Sequence, residues 1–131
     1  MKTFVELLEE ANSEIKTISS EQLYSELGSD NLVVVDVQSR ENILKSGMIP
    51  GAIHAERGML EFFADQRKEN PFRKAELDPS KKIVVYCGAG GQGALATKTL
   101  QDMGYSNVCN LASGTEAWTA SGFDLIPVAD Q

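Results

Sequence analysis

The chain has 131 residues, 42% of them hydrophobic, which suits one domain with a buried core. Twelve basic residues against 19 acidic ones leave a net charge of −7, which argues against nucleic acid or an anionic membrane as the main partner. Two cysteines, Cys87 and Cys109, are too few for a disulfide framework, and Met1-Lys2-Thr3-Phe4 runs straight into an acidic amphipathic segment without signal-peptide character. With apolar runs far too short to cross a bilayer, the pattern predicts a cytoplasmic, reducing location.

In chain order, residues 1–16 read as an N-terminal amphipathic helix, followed by one domain over 17–131. Phe4, Leu7, Leu8, Ala11 and Ile15 recur at helical spacing, with Glu6, Glu9, Glu10 and Glu14 off the stripe. Such a helix packs one face on the body or on a partner. Ile18 anchors a short strand. Ser19 with Gln22 has capping-box form and opens a helix that stops at Gly28. Residues 31–37 form a continuous apolar strand containing Asp36, the pattern of a parallel strand covered on both faces. A turn through Gly47-Met48-Ile49-Pro50-Gly51 leads to a short strand at 52–54. Residues 58–63 read as a helix, and 65–71 as an exposed loop.

The centre of the chain is the stretch 83–95. Ile83-Val84-Val85-Tyr86 is a buried strand that delivers Cys87 to its carboxyl end. Gly88, Gly90, Gly91 and Gly93 follow, and then a helical pattern carried by Ala96, Leu100 and Met103. A strand, a Gly-rich turn and a helix N-terminus together make an anion cradle: the amides point inward, and the helix dipole adds about half a positive charge. Cys87 there is expected to be the most exposed sulfur of the fold and the readiest to react, because the cradle stabilises a thiolate. The turn predicts that replacing Gly90 or Gly91 with valine disables the cradle while leaving the domain folded. From residue 79 to 101 there is no acid, while Lys81, Lys82 and Lys98 lie there, so either the local field tolerates an anionic substrate or the gap is chance plus a buried strand that excludes charge anyway. Gly104 ends the helix, and residues 108–111 form a last strand. Ser113 with Glu116 has capping-box form for a helix through a core Trp118 that ends near Gly122. Strand and helix alternate throughout, which predicts an α/β three-layer sandwich around a mostly parallel central sheet. Ligands of such sheets bind beyond the carboxyl ends of the strands, where Cys87 sits.

The series Asp36-Val37, Gly47-Met48-Ile49-Pro50-Gly51-Ala52, Val84-Val85-Tyr86-Cys87, Gly104-Tyr105-Ser106-Asn107-Val108 and Gly114-Thr115-Glu116-Ala117-Trp118 resembles a single-domain rhodanese. The family pattern is approximately DVR, GHIPGA, a strand ending in the catalytic cysteine with a six-residue loop, GYxNV and GGxxAW. The likeness covers roughly residues 18–127 in the correct order. It implies a rhodanese-like fold and sulfurtransferase activity, with Cys87 carrying sulfur as a persulfide. The site would be Cys87 with Gly88, Ala89, Gly90, Gly91, Gln92 and Gly93. Its partners would be a small-molecule sulfur donor, a thiol or cyanide acceptor, and a sulfur-accepting protein as a further candidate. No cofactor and no metal is implied.

Departures from the pattern bear on the donor. Gln38 replaces the arginine of DVR, Met48 the histidine of GHIPGA, and Ser113 the first glycine of the GG pair. Asn42 stands where Glu is common, and the loop carries Gln92 and Gly93 where Arg and Ser are frequent. Without the loop arginine, the electrostatic handle on an anionic donor is missing. Arg57 is the candidate substitute, against the alternative of a surface arginine paired with Glu56 or Glu61.

Other chemistries fit less well. A phosphatase or arsenate reductase of related fold would need a loop arginine to hold an oxyanion bidentately. A cysteine hydrolase would need an imidazole, and His54 is the only histidine and reads as structural. Cys109 reads as a small buried residue, with a resolving thiol as the alternative, and Asp36 as a structural acceptor. A non-catalytic rhodanese-like binding or regulatory module stands as the rival to an enzyme.

Overall fold

The computed structural model describes residues 1–129; the expected domain end at residue 131 lies outside the described residues. Five strands form one sheet in the order β1-β5-β4-β2-β3, and every pairing within it is parallel. The strands are β1 (Lys16–Ile18), β2 (Leu32–Asp36), β3 (Ile53–His54), β4 (Lys82–Tyr86) and β5 (Val108–Leu111). Because side chains alternate along a strand, β2 and β4 feed two cores. Val35, Ile83 and Val85 join Leu60, Ala96, Leu100 and Tyr105 on one face. Val34, Val84 and Tyr86 join Ile18, Leu23, Ile49, Leu111 and Trp118 on the other. Helices α4 (Leu60–Ala64) and α5 (Gly91–Asp102) therefore cover the first face, and α2 (Ser20–Glu26) and α6 (Gly114–Ala120) the second. This is the expected three-layer α/β sandwich.

Helix α1 (Phe4–Glu14) forms as the stripe predicts, with Thr3 and Glu6 closing a capping box. It lies on α5: Ala11 is fully buried, and the Gln101 Nε2 donates to the Glu14 carbonyl at 3.0 Å. Phe4 and Leu7 stay exposed. A short helix that the periodicity did not show, α3 (Arg40–Ser46), follows β2. Ser39 caps it by accepting from the Asn42 amide, and Ile43 is its one buried residue, so the apolar stripe is too thin to read.

Three local expectations are corrected. Helix α5 begins at Gly91, so Gly91 and Gly93 belong to its first turn rather than to the loop. Met103 is exposed, because the helix ends at Asp102 and the chain turns at Gly104 with φ of +108°. Ser113 makes no capping hydrogen bond: it adopts φ of +56°, and the amides at the start of α6 find partners elsewhere.

Successive connections run outward in opposite directions from β2 and β4, toward β3 and β5 respectively. Their carboxyl ends thus flank the topological switch point, where an open α/β sheet leaves a crevice.

Candidate functional site

The crevice at the ends of β2 and β4 is a cavity of about 420 Å³. Val37, Gln38 and Ser39 from the end of β2, Asn42 from α3, and Cys87, Gly88, Ala89, Gly91 and Gln92 line it. No charged side chain is among them. The Cys87 Sγ accepts hydrogen bonds from the Gly90 amide at 3.1 Å and the Gly93 amide at 3.2 Å. Two backbone donors from different turns of chain therefore converge on one sulfur, the arrangement that holds negative charge without a side-chain cation.

Helix α6 explains why the loop's amides are free to face the sulfur. The Thr115 amide donates to the Cys87 carbonyl at 2.9 Å, and the Glu116 amide to the Gly88 carbonyl at 3.0 Å. The loop carbonyls thus point outward and satisfy the first-turn amides of α6, which the missing serine cap would otherwise leave unpaired. Gly114 permits this approach: a Cβ there would run into the Cys87 carbonyl oxygen. Gly90 takes φ of +111° and packs on the Ser113 backbone, where an added Cβ would sit 3.3 Å from its Cα.

The far wall is held by a buried polar group. Asp36 is fully buried; its Oδ1 accepts from the Gln38 amide at 2.8 Å and its Oδ2 from the Gln38 Nε2 at 3.2 Å. Burial pushes the Asp36 carboxyl up, and hydrogen bonds from Tyr86 and Gln38 pull against that shift. Burial and Asp36 together push the Tyr86 phenol well above its ordinary value, while its oxygen accepts from the Ile49 amide at 3.0 Å. With Nε2 engaged, Gln38 leaves Oε1 beside Gly88, 3.6 Å from where a Cβ on that glycine would lie. The His54 Nε2 lies 2.7 Å from the Gln38 carbonyl oxygen.

Several sequence expectations meet here and others do not. The cavity brings together Cys87, Gly88, Ala89, Gly91 and Gln92, with Gly90 and Gly93 acting through their amides. Arg57 is not among the lining residues: its guanidinium pairs with Glu61 at 3.1 Å and donates to the Thr99 Oγ1 at 3.0 Å. Cys87 is 4% exposed and Cys109 7%, so Cys87 is not the most exposed sulfur; the first turn of α5 folds over it. Two of the three lysines in the positive window are paired in space, Lys82 with Glu26 at 2.8 Å and Lys98 with Asp102 at 3.0 Å and Glu14 at 3.5 Å. Gly91 has no positive φ, and an added Cβ would meet Leu8 at an ordinary 3.7 Å, so the constraint falls on Gly90, through its φ, and on Gly93, where a Cβ would run into the Asn110 side chain. Ser39 was missed, and so was Asn110. The signal for Asn110 was available: a lone amide within the otherwise apolar stretch Val108-Cys109-Asn110-Leu111.

A family model described as Rhodanese-like domain matches residues 19–121. The human thiosulfate:glutathione sulfurtransferase is 32% identical over 108 residues, covering 78% of this chain and 91% of that protein. The Bacillus subtilis (strain 168) protein YrkF is 30% identical over 108 residues, which cover 82% of this chain; the chain spans only about half of YrkF, 52%. A solved structure from Rhodopseudomonas palustris CGA009, described as a protein of unknown function and possible tyrosine phosphatase, is 35% identical with a TM-score of 0.89, covering 96% of both chains. Among the described residues, no helix is long and apolar enough to cross a membrane.

Proposed function

The chain belongs to the rhodanese-like domain family, and from that premise we propose that it is a sulfurtransferase whose Cys87 carries sulfur as a persulfide. The observation that carries the reading is the pair of amides, Gly90 and Gly93, donating to the Cys87 Sγ at the edge of an uncharged cavity. The Cys87 thiolate attacks the outer sulfur of a donor. The donor's sulfur–sulfur bond breaks, its electron pair leaving with sulfite or a thiolate, and a sulfur–sulfur bond forms at Sγ. The persulfide is anionic, and the same amides stabilise it. Cyanide or a thiolate then attacks the terminal sulfur and departs with it, and the Cys87 thiolate is regenerated. Charge and electrons balance in both steps without an external oxidant. Gly88, Ala89, Gly91 and Gln92 are the surface against which the substrate lies.

Intact-mass analysis after incubation with a donor is expected to show one added sulfur, removable by cyanide. No adduct with thiosulfate or with a low-molecular-weight persulfide would leave the domain as a binding module. A phosphatase reading lacks support in the site, because no arginine or lysine is among the residues lining the cavity.

The neutral lining sets an expectation for the donor. Thiosulfate is a dianion, and a charged hydrogen bond to it is worth about 1.5–3 kcal/mol, or roughly one to two powers of ten in kcat/KM. Thiosulfate is therefore expected to be a weaker donor than a less charged persulfide. Gln92→Arg, at the cavity edge, is expected to raise kcat/KM for thiosulfate by about tenfold or more in cyanolysis at low salt, where screening is least. An unchanged value in a folded variant would show that side-chain charge at this position does not select the donor.

A further inference from the structure

Asn110 lies in β5, 3% exposed, directly behind the cysteine loop. Its Nδ2 donates to the Gly90 carbonyl at 3.1 Å. That carbonyl also accepts from the Ala94 amide at 3.0 Å, so strand β5 and helix α5 grip it together. The other end of the same side chain, Oδ1, is buried without a hydrogen-bond partner. It lies against Gly93 so closely that a Cβ on that residue would run into it. Gly90 and Gly93 are the two residues whose amides donate to the Cys87 Sγ. One planar amide thus touches both, pulling on the first by a hydrogen bond and bracing the second by contact.

An unpartnered buried acceptor is costly, and a leucine would fill similar space without one. The Nδ2 donor is what an asparagine offers in exchange. We infer that Asn110 is a positioning residue for sulfur transfer, setting the Gly90 and Gly93 amides on the Cys87 sulfur through its contacts with both residues. It touches neither donor nor acceptor and acts through the loop. The inference rests on the sulfur-transfer reading of Cys87.

Two variants test it. Asn110→Leu keeps the bulk and removes the donor; Asn110→Asp keeps the shape and replaces the donor by an acceptor unless its carboxyl is protonated. With a low-molecular-weight persulfide as donor and cyanide as acceptor, both are expected to lose about tenfold or more in kcat at pH 7, with KM within about twofold. Alkylation of Cys87 by iodoacetamide is expected to slow in parallel. Lowering the pH from about 7 to about 5 is expected to bring Asn110→Asp back toward the parental protein measured at the same pH, because a protonated carboxyl can donate to the Gly90 carbonyl. Asn110→Leu is expected to stay impaired. A purely structural role would lower thermal stability and leave kcat, alkylation and pH profile parental in the folded protein. Parental kcat in folded Asn110→Leu, or identical pH profiles for the two variants, overturns the inference. Should Asn110→Leu not fold, the pH profile of Asn110→Asp decides alone. Failure of the sulfur-transfer reading would show separately, as absence of a persulfide in the parental protein, and Cys87 alkylation would still rank the three proteins.

Discussion

Cys87→Ser is expected to abolish persulfide formation and to reduce sulfur transfer by on the order of a thousandfold or more, to the background level. A serine hydroxyl in the same place would still accept from the Gly90 and Gly93 amides, so the loop should keep its form. What disappears is the thiolate, the only group there that can form a sulfur–sulfur bond. Cys109 is a poor stand-in. It pairs in register with Val84, well down the strand from the loop, and burial pushes its thiol up, keeping it protonated. Intact mass after donor treatment, together with steady-state cyanolysis, checks the expectation. An adduct retained by folded Cys87→Ser would move the chemistry to another residue and sink the assignment.

Much of this architecture was legible in the residues. Continuous apolar runs in β2 and β4 announced parallel strands covered on both faces, and the glycines after Cys87 announced a turn with its amides turned inward. Short elements with one buried residue were not legible: α3 has only Ile43 to mark it. Contacts between distant segments were hidden for a different reason. Ser113 and Glu116 read as a self-contained cap, yet the α6 amides take the Cys87 and Gly88 carbonyls, and tertiary partners displaced the local ones. The acid-free window misled in the same way, since Glu14 and Glu26 return to Lys98 and Lys82 only in three dimensions. Charge read along a chain is not charge read around a cavity. The uncharged lining could be read from the sequence at Gln38, Asn42 and Gln92, where departures from the family pattern had already removed cations or acids.

The glycines of the loop should differ in what they tolerate, and the order is a test of the cradle. Gly93→Ala would drive its methyl into the Asn110 Oδ1. Asn110 has little room to yield, being buried in β5 with its Nδ2 bound to the Gly90 carbonyl. The first turn of α5 must move instead, and with it the Gly93 amide now 3.2 Å from the sulfur. Loss of one preorganised donor to a developing anion typically costs about a hundredfold or more in kcat, so a loss of that order is expected. Gly90→Ala should be similarly damaging by another route: φ of +111° is strained for any residue with a Cβ, on the order of 1–3 kcal/mol, and the methyl would press on the Ser113 backbone. Gly91→Ala meets only Leu8, at 3.7 Å and without a positive φ, and is expected to lose least. Cyanolysis with a persulfide donor, run on variants whose circular dichroism matches the parent, ranks the three. If folded Gly93→Ala and Gly90→Ala transferred sulfur at the parental rate, the two amides would not be what stabilises the sulfur anion. Charge stabilisation would then have to come from solvent or from the side-chain amides of Asn42 and Gln92, which line the cavity, and their substitution rather than the glycines' would govern the rate.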